Sequence, residues 1–145
     1  MQADMLPASV PHERMMVNLA VFHMLIPIIA LASGIVIPLL SLALVGSLIS
    51  IAWIGWYARY HHFANEHQRM HWQLAWRHCR WLLYAYGVSA LIMVLGAGIS
   101  HVQADHNMAS IILVIFSRLA VVPTLLMVLL LFVVETGALS DSRKS

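Results

Sequence analysis

Long apolar tracts on either side of one charged, aromatic stretch constrain this chain more than any other feature. The stretch covers residues 53–86 and holds all five Trp, all four Tyr, four of the eight Lys and Arg residues and five of the nine His. Amphipathic aromatic rings favour the headgroup region of a bilayer, and Arg keeps its charge in water. We therefore predict that this stretch forms a bend at a membrane surface, between two transmembrane helices.

The composition agrees with a membrane environment. Hydrophobic residues make up 61% and charged residues 10% of the 145 residues, against about 45–50% and 25% in ordinary soluble domains. The net charge of +2 is small, and the basic residues do not form the basic face that nucleic-acid binding requires, so we expect no nucleic-acid partner. Cys79 is the single cysteine, which excludes an internal disulfide.

Four apolar tracts are long enough to cross a bilayer, which takes about 20 residues as a helix. The predicted spans are 15–33, 35–56, 81–99 and 109–134. The breaks at Ser33-Gly34 and Pro38 separate the first two spans, because one helix through both would be far too long for a single crossing. The predicted fold class is an all-α integral membrane protein, a small bundle of four transmembrane helices over residues 15–136. We expect residues 1–14 and 137–145 to be short tails.

The distribution of Lys and Arg predicts the orientation. Apart from Arg118, these residues lie in the bend at 57–80, before the first span and after the fourth, whereas the links at 33–38 and 100–108 contain none. Because positive residues accumulate on the cytoplasmic side, we expect the bend and both termini to be cytoplasmic, in a bacterial inner (plasma) membrane. Two alternatives stay open: the first span is a cleaved signal peptide, or it is re-entrant and the chain has three spans.

Small residues mark one face of the second span. Ala43 with Ser47, and Gly46 with Ser50, are spaced four positions apart. Small side chains at this spacing let a neighbouring helix approach closely. We expect a helix contact along this face.

Histidines form a stripe at the start of the third helix, which we predict to begin near Asn65. At about 100° per residue, His67, His71 and His78 fall within about 40° of one another around the helix axis. The opposite side carries polar and basic residues: Arg69, Gln73, Arg77 and Arg80. The stripe is a candidate metal or cofactor site.

A divalent-metal site is predicted from two of these histidines. His67 and His71 are four positions apart, so both rings can reach one ion, whereas His78 lies about 10 Å further along the helix. A complete site would add His61, His62 or His12. The spacing of His61, His62, His67 and His71 resembles the histidine boxes of integral-membrane desaturases and hydroxylases, which implies a cytoplasmic di-iron oxygenase. The resemblance covers eleven residues, and the other boxes of those enzymes are absent. The alternative is that these histidines face headgroups and water.

A haem or quinone site is the third reading of the histidines. His23 is the only histidine well inside a span, about 9 Å from the cytoplasmic boundary. A b-type haem would use His23 together with His78 or His61 at a similar height. Otherwise we expect His23 to donate a hydrogen bond to a neighbouring helix, with the backbone carbonyl that Pro27 leaves without its usual donor nearby.

Arg118 is the costliest residue in the chain, since an Arg at a helix centre costs about 2.5–3.5 kcal/mol on insertion scales. It lies about 12 Å along the fourth span, counted from Ser110. Glu135, at the inner edge of that span, is too far away to neutralise it. Arg118 therefore snorkels to outer phosphates, packs against another subunit or an anionic ligand, or serves a transport or proton path.

No catalytic constellation is recognisable, so we do not expect an enzyme. The preferred hypothesis is an accessory, assembly or interaction subunit of a larger membrane complex, with Arg118, Trp72 and Trp76 as contact residues. Its expected partners are the bilayer and other membrane subunits, or further copies of itself. The alternatives are a cofactor-bearing protein, with haem, quinone or a divalent metal, and a small transporter or channel built by oligomerisation.

Overall fold

The computed structural model of the protein describes residues 7–63 and 65–143, and all regular secondary structure within these ranges is helical. The elements are α1 (Val10–Ala20), a π-helical turn (Val21–Leu25), α2 (Ile26–Ser33), α3 (Val36–Tyr60), α4 (Glu66–His101) and α5 (His106–Ser142). The segment Val10–Ser33 and helices α3, α4 and α5 are each long and apolar enough to cross a membrane. The prediction of an all-helical chain with four helices that could span a membrane is confirmed.

Two helices extend further than predicted. Helix α1 begins at Val10 and includes part of the predicted tail, because a proline occupies its first turn and Glu13 follows there. Proline fits this position since its missing N–H is not needed, and an acidic side chain there is favourable for the helix dipole. Helix α5 ends at Ser142, so most of the predicted second tail is helical. Residues 1–6, Ala64 and residues 144–145, which complete the predicted tails and bend, lie outside the described residues.

The first two predicted spans are separated at Gly34, as expected. Gly34 has a φ of 74°, the left-handed conformation that ends many helices and that glycine adopts without a Cβ penalty. Pro38 lies in the first turn of α3, where no helical N–H bond is lost. Helices α2 and α3 then pack against each other, so the chain folds back at this turn.

The helices divide between two compact units. The described residues up to Cys79, together with those from Leu131 onward, form the first unit, and Arg80–Leu130 forms the second. Within the second unit, Ser89 Oγ and Thr124 Oγ1 lie 2.9 Å apart. In the same unit, the Ser100 hydroxyl donates to the Ala109 carbonyl at 2.9 Å.

Helix contacts in the first unit follow the small-residue face of α3. Ala43 and Ser47 are buried, and a Cβ added to Gly46 would lie 2.3 Å from a ring carbon of Phe22. The expected close approach of a neighbouring helix is therefore confirmed. Gly55, two turns further along α3, gives the same room to the ring of Trp76.

An aromatic core closes the end of the first unit that carries the bend. Trp72 is fully buried, and its ring centroid lies 4.3 Å from that of Tyr57 and 5.6 Å from that of Trp53. The ring of Phe63, in the bend, lies 6.1 Å from Trp72. These contacts hold the start of α4 against the end of α3.

Candidate functional site: a buried histidine and glutamate cluster

Four titratable side chains are buried together in the first unit, and we call them the His/Glu cluster: His12, His71, His78 and Glu135. His12 and Glu135 are fully buried, and His78 and His71 expose 2% and 5% of their surface. Burying ionisable groups is costly unless they are paired. The hydrogen bonds and ion pairs among the four side chains therefore determine whether their burial is stable.

Three helices supply the cluster. His12 lies in the first turn of α1, and Glu135 lies two turns before the end of α5. His71 and His78 lie on one face of α4, seven positions apart, which corresponds to a rise of about 10 Å. The cluster therefore joins the start of one helix to the end of another along two turns of α4.

The carboxylate of Glu135 accepts a hydrogen bond on each of its oxygens. His12 Nδ1 lies 2.6 Å from Oε2, and His78 Nδ1 lies 2.6 Å from Oε1. An ionised carboxylate only accepts hydrogen bonds, so both histidines donate from Nδ1. Short bonds of this kind, with an ionised partner, are about twice as strong as bonds between neutral groups.

His12 connects the carboxylate to a further histidine. Its second nitrogen, Nε2, lies 3.0 Å from His71 Nδ1, with the two rings perpendicular. Because Nδ1 of a neutral His12 carries the hydrogen that goes to Glu135, Nε2 accepts a hydrogen from His71. The half-buried ring of His67 lies next to His71, with centroids 4.6 Å apart. The row from Glu135 through His12 and His71 therefore leads towards a partly exposed side chain.

Sulfur atoms border the cluster. The Cys79 thiol donates to Met15 Sδ at 3.7 Å, and both residues are fully buried. The Asn18 amide lies 4.0 Å from the same sulfur, at the limit of such a contact. Glu135 is itself fully buried, and hydrogen bonds in a buried, low-dielectric site are stronger than the same bonds in water.

The predicted division of the third helix into two faces is confirmed by burial. His71 and His78 are buried and His67 is half-buried, whereas the opposite side is exposed: Arg69, Gln73, Arg77 and Arg80. The estimate that His78 lies too far along the helix to share an ion with His71 agrees with the structure. The two are instead linked through His12 and Glu135.

The four residues of the predicted metal site are placed differently from one another. His61 stacks on Tyr57, with ring centroids 4.2 Å apart and its Nε2 3.2 Å from the tyrosine oxygen. His62 is exposed, whereas His67 and His71 are in contact. Throughout residues 7–63 and 65–143, no three His, Cys, Asp or Glu side chains are arranged to hold a metal ion. The metal site stays a prediction.

The predicted haem ligands lie in different surroundings. His78 belongs to the cluster, whereas half-buried His23 lies in the π-helical turn with its Nδ1 3.3 Å from the Asn18 carbonyl oxygen. This contact of His23 lies within its own helical segment, and the expected hydrogen bond to a neighbouring helix stays a prediction. The π turn ends with the Ile26 N–H bonded to the Val21 carbonyl, just before Pro27, which supplies no N–H. Haem ligation by His23 and His78 stays a prediction.

The three predicted contact residues also differ in exposure. Trp72 is buried in the aromatic core of the first unit, so its ring is not on a contact surface. Trp76 is half-buried against Gly55, and Arg118 is exposed on α5. Trp72 as an interaction residue is therefore corrected: its large apolar ring packs inside the unit.

Sequence reasoning considered His12 only as a supplement to a metal site and did not connect Glu135 with any histidine. A signal was present, since His12 precedes the first predicted span, His78 precedes the third, and Glu135 follows the fourth. In a four-span topology these positions share one membrane level. This common height is the sequence signal for a contact among the three residues.

Comparison of the chain with protein-family models, with curated proteins and with solved structures found no match. A functional conclusion therefore rests on the geometry of the His/Glu cluster.

Proposed function

We propose that this chain is a proton-coupled membrane protein in which the His/Glu cluster passes protons between the aqueous side and the interior of the helical domain. The observation that carries this proposal is that fully buried Glu135 holds an imidazole on each carboxylate oxygen at 2.6 Å. Ionisable groups within membrane helices are rare and expensive, and chains of Glu and His are characteristic of proton relays.

His12 has the bonding that a relay requires, because both of its ring nitrogens are engaged. When His71 is protonated from outside, its Nδ1–H can pass to His12 Nε2, and His12 then releases its Nδ1–H to Glu135. Glu135 becomes a neutral acid, and His12 and His71 are both left with their hydrogen on Nε2. The row then holds one more proton, which came from outside and now lies on Glu135.

Glu135 can pass the proton on at its other oxygen. His78 is bonded there, and protonation of the carboxylate weakens the bond that His78 Nδ1 donates to it. The ring of His78 is then able to turn so that its Nε2 accepts the proton from Glu135, and release of the His78 Nδ1 proton to an acceptor further inside leaves both residues in their original charge states. The four residues thus supply alternative proton positions over about 10 Å along α4.

The proposed topology places the bend and both termini on the cytoplasmic side of a plasma membrane, such as a bacterial inner membrane. The supporting observations are the distribution of Lys and Arg along the chain and the contact between the start of α1 and the end of α5. The cluster then lies near the cytoplasmic surface. Protons would enter at the His71 end of the row, beside half-buried His67.

Proton flux into proteoliposomes tests the proposal. The purified protein is reconstituted with an enclosed pH-sensitive dye, and a potassium diffusion potential provides the driving force. We expect flux above that of protein-free liposomes, and its loss in Glu135→Gln, which keeps the side-chain size but cannot take up a proton. The matched control is Glu13→Gln, because Glu13 lies at the same end of the unit but is exposed.

The outcome separates a relay from a structural pairing. Circular dichroism must show that Glu135→Gln retains its helices, and His12→Gln, which also breaks the row, should lose the flux as well. Flux that persists in a folded Glu135→Gln protein, or the absence of flux in the unmodified protein, contradicts the proposal.

An accessory subunit of a larger membrane complex is the second candidate function, favoured by Arg118. This residue is exposed on α5 and has exposed apolar neighbours, among them Val114, Ile115 and Leu119. Within the described ranges, no side chain forms a hydrogen bond or ion pair with its guanidinium. A partner helix that carries a carboxylate at the same depth would neutralise it.

A further inference from the structure

Two arginines of the first unit lie over tryptophan rings. The Arg14 guanidinium carbon is 3.7 Å from the centroid of a Trp53 ring, and that of Arg59 is 5.0 Å from the centroid of a Trp76 ring. Both arginines are exposed and both tryptophans are half-buried. Stacking of this kind combines a cation–π attraction with a restricted side-chain position.

The backbone of α3 packs directly against the ring of one of these tryptophans. Gly55 of α3 makes room for Trp76, since a Cβ on Gly55 would lie 2.4 Å from a ring carbon of Trp76. Arg59 follows Gly55 by one helical turn and so projects from the same face of α3. The ring of Trp76 is therefore held on the backbone of α3, and the guanidinium of Arg59 is held over that ring.

A position over an indole leaves the N–H groups of a guanidinium able to reach an acceptor. The ring attracts the cation through its face, and the N–H bonds point outwards in the plane of the guanidinium. Among residues 7–63 and 65–143, neither Arg14 nor Arg59 donates a hydrogen bond or forms an ion pair. An acceptor outside the chain is thus able to bind two parallel N–H groups, which is the geometry that phosphate oxygens favour.

We propose that the two Arg/Trp stacks, Arg14 on Trp53 and Arg59 on Trp76, bind the phosphate groups of anionic phospholipids. Tryptophan rings settle at the headgroup level of a bilayer, and both stacks lie where α1 begins and α3 ends, at one end of the first unit. Charge complementarity selects an anionic lipid over a zwitterionic one, since the latter brings its own cation. The lipid is recognised by its headgroup and held at the level that the indoles set.

The neighbouring charges favour this ligand. Arg69 and Arg77 are exposed on α4 in the same unit, whereas the exposed Glu13 is 3.3 Å from Arg143. The negative charge next to Arg14 in sequence is thereby directed towards another cation. Arg69 also provides a matched control, since no tryptophan stack holds it within the described residues.

Native mass spectrometry tests the proposal on the full-length protein. The protein is released from nanodiscs of equal phosphatidylglycerol and phosphatidylcholine, and the bound lipids are counted. We expect phosphatidylglycerol to be enriched, and Arg14→Gln and Arg59→Gln each to lower its relative affinity about fivefold, with Arg69→Gln having a much smaller effect. Circular dichroism confirms that each variant keeps its helices.

Replacement by lysine separates stacked recognition from general attraction. Arg59→Lys keeps the charge but loses the planar two-point contact, so we expect it to lose most of the enrichment that Arg59→Gln loses. Added inorganic phosphate should not displace the lipid, because it lacks the acyl chains. Equal losses in Arg59→Gln and Arg69→Gln, full retention of the phosphatidylglycerol enrichment in a variant that combines Arg14→Gln with Arg59→Gln, or displacement by inorganic phosphate would overturn the proposal.

Discussion

His12 and Glu135 are 123 positions apart in the chain, yet His12 Nδ1 lies 2.6 Å from Glu135 Oε2 with both side chains fully buried. This contact ties the first turn of α1 to the end of α5. Because His12 also reaches His71, the same side chain fixes the start of α4. The cluster is therefore a structural joint as well as a candidate proton path, and its two roles can be measured separately.

Loss of the Glu135 carboxylate should destabilise the protein strongly. Glu135→Ala leaves His12 and His78 buried without their acceptor, and breaking a buried pair costs about 3–5 kcal/mol. Unfolding in detergent, followed by tryptophan fluorescence, measures the change in free energy. Glu13→Ala is the control, because Glu13 and Arg143 are 46% and 63% exposed and an exposed pair contributes about 1 kcal/mol or less. Similar losses in the two variants would show that the cluster is not a buried pairing in the folded protein.

The bond between His12 and His71 should appear as an energetic coupling. Residues in one hydrogen-bond network couple by about 0.5–3 kcal/mol, whereas separate sites add independently. We expect His12→Ala and His71→Ala to couple within this range. A second cycle, of His12→Ala with His61→Ala, should give a value near zero, since His61 is exposed and stacked on Tyr57. The same unfolding assay is applied to the three single variants and the two double variants. A coupling energy in the cycle of His12 with His61, and none in the cycle of His12 with His71, would contradict the hydrogen-bonded row from Glu135 through His12 to His71.

Gly55 should tolerate a methyl group poorly. The Cβ of Gly55→Ala would lie 2.4 Å from Trp76, so the ring must shift from its place on α3, at a cost of about 1–3 kcal/mol. Gly87→Ala, in α4, meets nothing within 4 Å and should gain up to about 1 kcal/mol from its lower chain entropy. Thermal unfolding of the two variants gives the comparison. An unchanged tryptophan emission in Gly55→Ala, with unchanged stability, would mean that the two helices are not in contact there.

Local patterns predicted the helices well, because apolar length and a positive-φ glycine act over a few residues. The break at Gly34, the start of α4 next to Asn65 and the burial of one face of α4 all follow from such patterns. Asn65 precedes α4, and its side-chain oxygen accepts the His67 N–H at 3.0 Å, as expected for a polar residue just before a helix. The predicted tail at 1–14 overlaps the beginning of α1, because Pro11 occupies the first helical turn, where its missing N–H is not needed.

The cluster depends on distances that no local pattern contains. Glu135 was recognised as an acid at the edge of a span, but its partners lie 57 and 123 positions away. The burial of Trp72 could not be predicted from local sequence patterns either. Aromatic residues near a predicted interface have similar sequence surroundings whether they face lipid or the core. The structure resolves this by placing Tyr57 and Trp53 against it.

Arg118 should identify a membrane partner if the chain is an accessory subunit. Arg118→Leu removes a charge whose insertion costs about 2.5–3.5 kcal/mol, so the isolated protein should insert at least as well as before. Co-purification from native membranes should then show loss of the partner, with Arg69→Leu as a control that changes an exposed arginine on α4. An unchanged complex on native gels would instead indicate that Arg118 reaches the outer phosphates.

The ends of α4 should lie on opposite sides of the membrane. Its 36 residues span about 54 Å at 1.5 Å per residue, well beyond the roughly 30 Å of hydrocarbon in a bilayer. Reporter tags inserted after His62 in the bend and after Gln103 in the link to α5 should therefore report different compartments. Tags at either terminus should report the same compartment as the tag in the bend. The reason is that His12 contacts Glu135, and Glu13 contacts Arg143, in the unit that also contains the bend. If the bend and the link report the same compartment, α4 does not cross the bilayer and the proposed entry of protons at His71 fails with it.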